Sequence, residues 1–217
     1  MKIILIRHGK PNIEEPVSCT AAEFEAWIEA SQDSSPAGVQ PMNFDKSKYK
    51  LYSSDAMIAL ETAKSLFGED AEITATDMLR EIPFKAFDDT AQSLPLKTWY
   101  SKAASQQKKG DPRQAESMRD AAGRASDFVD LLEKDGYDSI VVSHMYFLKQ
   151  LFKELQKRGY MIERTHYFTV DYLERARASK RRDHCGCCTQ NCLLSNPGCQ
   201  IGQDIASRDS SFLRFGN

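Results

Sequence analysis

Short apolar runs recur along the chain, and each one ends in polar residues. The run at residues 3–6 is continuous and holds three isoleucines, which is typical of a strand buried on both faces of a sheet. Similar runs at residues 49–54 and 139–142 predict two further strands, and residues 71–75 fit a shorter one. The pattern therefore predicts at least four strands.

Segments with helical spacing alternate with these strands. Thr20 and Glu23 resemble a capping box that opens a helix, and further helices are predicted at residues 56–67, 112–134 and 146–157. The alternation predicts an α/β fold, a three-layer sandwich with a central, mostly parallel sheet and helices on both faces.

Three stretches do not fit this alternation. Residues 31–40 are rich in Ser, Pro and Gly and predict a linker. Residues 84–110 are polar and predict an irregular lid or cap over a site, whereas residues 168–179 fit a strand or a helix. We divide the chain into an α/β domain at residues 1–165 and a small Cys-rich C-terminal extension at residues 166–217.

Composition narrows the classes of function. The 217 residues carry a net charge of −2, so neither a nucleic acid nor an anionic membrane is an expected partner. No apolar run approaches the ~20 residues needed to cross a bilayer, and the first residues do not resemble a signal peptide. We expect a cytoplasmic protein.

Polar residues that can bind ligands or take part in catalysis follow the buried strands. Arg7, His8 and Gly9 end the first strand, and Ser143 and His144 end a late one. Because the carboxyl ends of parallel strands share one edge of a sheet, the two histidines are expected in one pocket, which Glu81 can also reach. Arginine grips phosphate bidentately, and histidine serves as nucleophile or base near neutral pH. The turn at Gly9 is expected to expose backbone N–H groups to an anion.

Five short motifs occur together over about residues 1–158. They are Leu5-Ile6-Arg7-His8-Gly9, Tyr52-Ser53-Ser54 with Glu61-Thr62-Ala63, Leu79-Arg80-Glu81-Ile82, Glu116-Ser117 and Val141-Val142-Ser143-His144. In order and spacing the chain resembles the histidine phosphatase superfamily, whose fold is phosphoglycerate mutase-like.

The resemblance implies a mechanism of phosphoryl transfer. His8 would attack phosphorus and form a phosphohistidine, and Arg7 would hold the phosphate oxygens. His144 would contact the transferring group, Glu81 would protonate the leaving oxygen, and water would then release phosphate. The implied function is a phosphatase that needs no cofactor for catalysis and acts on a small phosphorylated substrate or a phosphoprotein.

One position departs from the family pattern. Ile58 stands where the family places a second phosphate-binding arginine, and Asp55 adds a negative charge nearby. Arg80 is a candidate substitute because it neighbours Glu81, and Lys10 is a weaker one. The alternative function is therefore a catalytically weakened member that binds a phosphorylated ligand or a partner.

The C-terminal extension holds most of the cysteines. They are Cys185, Cys187, Cys188, Cys192 and Cys199. Thiolates at such separations suit a structural zinc ion or an iron–sulfur cluster, with zinc favoured, while disulfides or reduced thiols are the alternative. Because so short a segment cannot build its own core, a metal or a covalent staple is physically reasonable.

Overall fold

A computed structural model describes residues 1–42, 45–164, 172–173 and 175–180, with the backbone alone at Lys46 and Arg164. The strands are β1 (Lys2–Arg7), β2 (Lys10–Pro11), β3 (Ser18–Cys19), β4 (Pro36–Ala37), β5 (Lys50–Ser54), β6 (Ile73–Thr76), β7 (Leu94–Pro95), β8 (Ser139–Ser143), β9 (Met161–Arg164) and β10 (Arg175–Ser179). The helices are α1 (Ala21–Gln32), α2 (Met57–Phe67), α3 (Leu96–Lys109), α4 (Met118–Asp135) and α5 (Met145–Lys157), and two 3₁₀ turns span Lys46–Lys48 and Asp77–Leu79.

The main sheet has six strands in the order β6-β5-β8-β1-β10-β9. The first four run parallel, whereas β10 is antiparallel to both β1 and β9. The expected central, mostly parallel sheet is thus confirmed. β10 also shows that the undecided stretch at residues 168–179 contains a strand.

Apolar side chains of β1 alternate between two cores. Ile3 and Leu5 join a cluster with side chains of α4 and α5, while Ile4 and Ile6 join a second cluster with side chains of α2. Because successive residues of a strand point to opposite faces, β1 can be apolar throughout only when helices cover both sides. Helices do cover both faces, as the three-layer prediction requires.

A third cluster joins α1 to α3 beside the sheet. Phe24 and Trp99 stack with ring centroids 5.7 Å apart, and Trp99 donates its indole N–H to the Cys19 carbonyl at 2.8 Å. The prediction that residues 84–110 are irregular is therefore wrong, since α3 lies within them. Its buried side chains, Leu96, Trp99, Ala103 and Gln107, recur every three or four positions, which is the spacing of an amphipathic helix, so the signal was present among the polar residues and was overlooked.

Two other boundaries differ from the sequence expectation. The fourth helix begins at Met118 and not near residue 112, because Ser117 and Asp120 form a reciprocal capping box. The expected linker at residues 31–40 is partly regular, since α1 continues through Gln32 and β4 pairs with β2. The capping box of Thr20 and Glu23 is present as expected.

The extension is described only in part. Arg175–Ser179 lies in the main sheet, between β1 and β9; the division at residue 165 remains a prediction. Cys185, Cys187, Cys188, Cys192 and Cys199 lie outside the described residues. Within the described ranges, no helix is long and apolar enough to cross a membrane.

Candidate active site

The two histidines meet where β1 and β8 end. Arg7 pairs with Ser143 in the parallel register, so the next residue of each strand, His8 and His144, falls at the same edge. The His8 backbone N–H donates to the Ser143 carbonyl at 2.9 Å. The ring centroids of the two histidines are 4.9 Å apart, so the structure brings them together as expected.

His8 is buried and held in one orientation. Its Nδ1 lies 2.8 Å from the Gly9 carbonyl, which can only accept, so Nδ1 carries the proton. Burial and the adjacent Arg7 charge lower the pKa of His8 to about 4, although the bond to Gly9 opposes the shift. At neutral pH the ring is uncharged, and its Nε2 therefore keeps a lone pair for attack on an electrophile.

Gly9 is required for close approach and does not present its N–H to an anion. Its N–H donates to Thr62 Oγ1 at 3.0 Å, which corrects the expectation from the sequence. A Cβ at this position would lie 2.8 Å from Pro36 Cβ and from Val39 Cγ2. The segment after β1 thus packs against β4 more tightly than any other residue type allows.

His144 is fully buried beneath the site. Its Nε2 lies 2.9 Å from Ser54 Oγ, at the end of β5. Burial, followed by the charges of His8 and Arg7, holds the pKa of His144 well below its ordinary value. Its Nδ1 has no hydrogen-bond partner among the described residues. His144 is therefore an uncharged hydrogen-bonding group, and Ser54 fixes its ring.

Glu81 anchors the start of α5. Its carboxylate accepts three backbone N–H bonds, from Ile82 at 2.9 Å, Tyr146 at 3.1 Å and Phe147 at 2.9 Å. These bonds favour the charged form, but burial is the larger effect, and it raises the pKa of Glu81. A carboxyl group with a raised pKa that lines the same cavity as His8 is suited to proton transfer.

Arg80 is engaged by Asp55. Its Nε and Nη2 donate to the two carboxylate oxygens of Asp55, each at 2.6 Å, and the side chain is 61% exposed. Both residues line the cavity of His8. Ile58 is fully buried in the first turn of α2. The guanidinium that the sequence suggested as a substitute is thus already paired in this structure.

Two further residues shape the site, and the sequence analysis missed both. The Arg7 guanidinium lies over the Tyr172 ring, 3.8 Å from its centroid, and Tyr172 is 5.7 Å from the His8 ring. Tyr172 lies beyond the recognised motifs, so no signal in the sequence pointed to it.

Arg124 pairs with Glu116 and donates to the carbonyls of Met78 and Arg80, at 3.0 and 2.8 Å. Glu116 lies in one of the recognised motifs, and an arginine eight residues further along the chain was the available clue to Arg124.

The candidate active site opens into a cavity of about 480 Å³. Its polar lining includes Arg7, His8, Asp33, Asp55, Arg80 and Glu81. Its aromatic lining consists of Trp27, Phe84, Tyr100, Tyr146 and Tyr172. In the described part of the chain, no three His, Cys, Asp or Glu side chains cluster as metal ligands do.

Comparison with known proteins identifies a matching family and solved structures with a similar fold. The family model of the histidine phosphatase superfamily (branch 1) matches residues 3–187. No curated protein sequence matches significantly. Among solved structures, the product of open reading frame Rv3214 from Mycobacterium tuberculosis is 16% identical, with 84% of this chain and 92% of that chain covered and a TM-score of 0.50.

Two other solved structures are similar at lower scores. Phosphoserine phosphatase from Entamoeba histolytica in complex with 3-phosphoglyceric acid is 21% identical, with 72% and 80% covered and a TM-score of 0.44. The alpha-ribazole phosphatase from Shigella flexneri is 20% identical, with 71% and 79% covered and a TM-score of 0.45. The family match spans more than half of the chain, and the chain therefore belongs to the histidine phosphatase superfamily.

Proposed function

We propose that the protein hydrolyses phosphate monoesters through a phosphohistidine on His8. The observation that carries the proposal is the bond between His8 Nδ1 and the Gly9 carbonyl, which leaves Nε2 unprotonated in a cavity that Arg7 also lines. A neutral, oriented imidazole beside a guanidinium is the arrangement that nucleophilic attack on a phosphate requires.

The proposed reaction has two displacement steps. His8 Nε2 forms a bond to phosphorus, the phosphorus–oxygen ester bond breaks, and Glu81 gives its proton to the departing oxygen. Glu81 then takes a proton from water, whose oxygen attacks phosphorus and releases inorganic phosphate and neutral His8. Arg7 binds the phosphoryl oxygens in both steps, and His144 contributes a hydrogen bond next to them.

The first test is hydrolysis of an aryl phosphate together with intact-mass detection of a phosphoenzyme. Wild type is expected to turn over and to gain the mass of one phosphoryl group when quenched in the steady state. His8→Ala is expected to lose both signals. His166→Ala is the control, because the sequence gives that histidine no catalytic role. Turnover that survives His8→Ala would overturn the mechanism.

A binding module without turnover is the second candidate. Ile58 replaces the expected arginine, and Arg80 is held by Asp55. Under this alternative, wild type binds inorganic phosphate but does not hydrolyse esters, and Ile58→Arg gains hydrolysis. Ile58→Met is the matched control, since it keeps an apolar side chain at the buried position. Melting temperatures of both variants show whether the arginine is accommodated.

We also propose that catalysis needs no metal and that the Cys-rich segment holds a structural zinc ion. Chelation with EDTA is expected to leave the initial hydrolysis rate unchanged. Elemental analysis of the purified full chain is expected to show about one zinc per molecule. A Cys187→Ser, Cys188→Ser double variant should lose it, whereas unchanged metal content would contradict the zinc site.

A further inference from the structure

A set of mutually packed rings lines one side of the His8 cavity. These rings, which form an aromatic wall, belong to Trp27, Phe84, Tyr100 and Tyr146. The Tyr100 ring centroid lies 6.1 Å from that of Trp27, 5.2 Å from Phe84 and 5.9 Å from Tyr146. Phe84 and Tyr146 also contact each other at 4.6 Å. Because these contacts hold the rings in place, the aromatic wall is organised before a ligand binds.

The aromatic wall begins beside the proposed proton donor. The Tyr146 backbone N–H is bonded to Glu81 Oε2 at 3.1 Å, and Phe84 follows Glu81 by three residues. If Arg7 and His8 hold the phosphoryl group, the ester oxygen must lie within reach of Glu81 for proton transfer. The organic part of the ester is attached to that oxygen, so it extends along the aromatic wall.

The charged side chains that line the cavity disfavour a second anionic group on the ligand near Asp55 and Arg80. The lining cations are Arg7 and Arg80, and the lining carboxylates are Asp33, Asp55 and Glu81. Asp55 already occupies both donors of the Arg80 fork. A ligand carboxylate or second phosphate would therefore have to compete with Asp55 for Arg80 and would lie near Asp33.

From these contacts we infer that the substrate or ligand is a phosphate monoester whose organic part is a flat, uncharged aromatic group. This inference rests on the proposed function, because it assumes that the phosphoryl group binds at Arg7 and His8. The rings of the aromatic wall bury the aromatic group, and the paired charges at Asp55 and Arg80 disfavour organic parts that carry further negative charge.

The test measures binding and turnover separately. Calorimetry on the wild-type full chain compares benzylphosphonate, methylphosphonate and 4-carboxybenzylphosphonate, none of which can be hydrolysed. Benzylphosphonate is expected to bind about tenfold tighter than either of the others. Hydrolysis of benzyl phosphate and glycerol 2-phosphate, which both release an aliphatic alcohol, is measured in parallel, and kcat/KM is expected to favour the benzyl ester by a similar factor.

Matched variants locate the preference. Trp27→Leu removes a ring of the aromatic wall and is expected to reduce the preference for benzylphosphonate over methylphosphonate about threefold or more. Phe87→Leu removes a ring that packs on Trp99 in the same helical cluster but does not line the cavity, so the preference should be unchanged.

The outcomes separate this inference from the proposed function. Preferential binding of benzylphosphonate without hydrolysis of any ester would refute the phosphatase and leave the ligand class standing. Hydrolysis of both esters with equal kcat/KM, together with equal phosphonate affinities, would refute the ligand class and leave the phosphatase standing. An unchanged preference in Trp27→Leu would show that the aromatic wall does not recognise the organic group.

Discussion

Asp55 offsets positive charge at the edge of the candidate active site. It holds Arg80 through two bonds of 2.6 Å at the edge of the cavity. Asp55→Asn removes a negative charge near the proposed phosphate position and leaves Arg80 with a weaker partner. We expect kcat/KM for an aryl phosphate to rise about threefold to tenfold, the value of a partly exposed charge-assisted contact.

A second arginine–carboxylate pair with two hydrogen bonds provides the control for this variant. Asp89 accepts two bonds of 2.8 Å from Arg113, and neither residue lines the cavity. Asp89→Asn should leave kcat/KM unchanged. A fall in activity on Asp55→Asn would mean that Asp55 positions Arg80 for the ligand and does not withhold it.

The second prediction for a single residue concerns the pH at which the His8 ring gains a proton. Because burial and Arg7 lower its pKa to about 4, the ring should stay neutral from pH 8 down to about pH 5. A ¹⁵N NMR titration should show His8 midway through protonation near pH 4, with Nδ1 bearing the proton above it. A midpoint near 6.5 would remove the reason for expecting a ready nucleophile at mildly acidic pH.

At the scale of elements, the turn after β1 depends on Gly9. Its contacts with Pro36 in β4 and with Val39 leave no room for a methyl group. Gly9→Ala should push His8 out of line with Arg7 and lower kcat about tenfold to a hundredfold, because small displacements of reacting groups are costly. Gly123→Ala is the control, since a Cβ there meets nothing within 4 Å.

If Gly9→Ala lowers the melting temperature but leaves kcat unchanged, the close packing serves stability alone. In that event Gly9 would stabilise the pairing of β2 with β4 and would not be needed to orient His8.

The sequence predicted elements where a local pattern decides them. Buried runs located β1, β5 and β8, and the carboxyl ends of β1 and β8 located both histidines. It failed at α3, although Leu96, Trp99 and Ala103 recur at helical spacing, because the Lys, Gln and Ser residues around them favoured a loop. It also could not show that Arg80 is paired, because that depends on how two loops meet at one edge of the sheet.

At the scale of the whole molecule, the buried histidines tie stability to pH. The folded-state pKa of His8 lies below its ordinary value of 6.5, so between about pH 6.5 and 4 the unfolded chain binds more protons than the folded one. Stability is therefore full above pH 6.5 and falls as the pH drops. From pH 7 to pH 5 the loss from His8 is ~2 kcal/mol.

Urea unfolding at pH 7 and pH 5 measures this loss. Glu81, with its raised pKa, contributes in the opposite direction, so the comparison with a variant isolates His8. The free energy of unfolding of His8→Asn should fall ~2 kcal/mol less than that of wild type over the same interval. Equal losses in the two proteins would show that His8 is readily protonated in the folded state.

The placement of β1 between β8 and β10 bears on the order in which the protein can assemble. β1 is the first strand in the sequence, yet its two neighbours are Ser139–Ser143 and Arg175–Ser179. During synthesis its apolar side chains and backbone groups must wait until both of these later strands have been made, and such distant pairings also make folding slow. His8, at the end of β1, is thus made well before the two strands that hold β1 in the sheet.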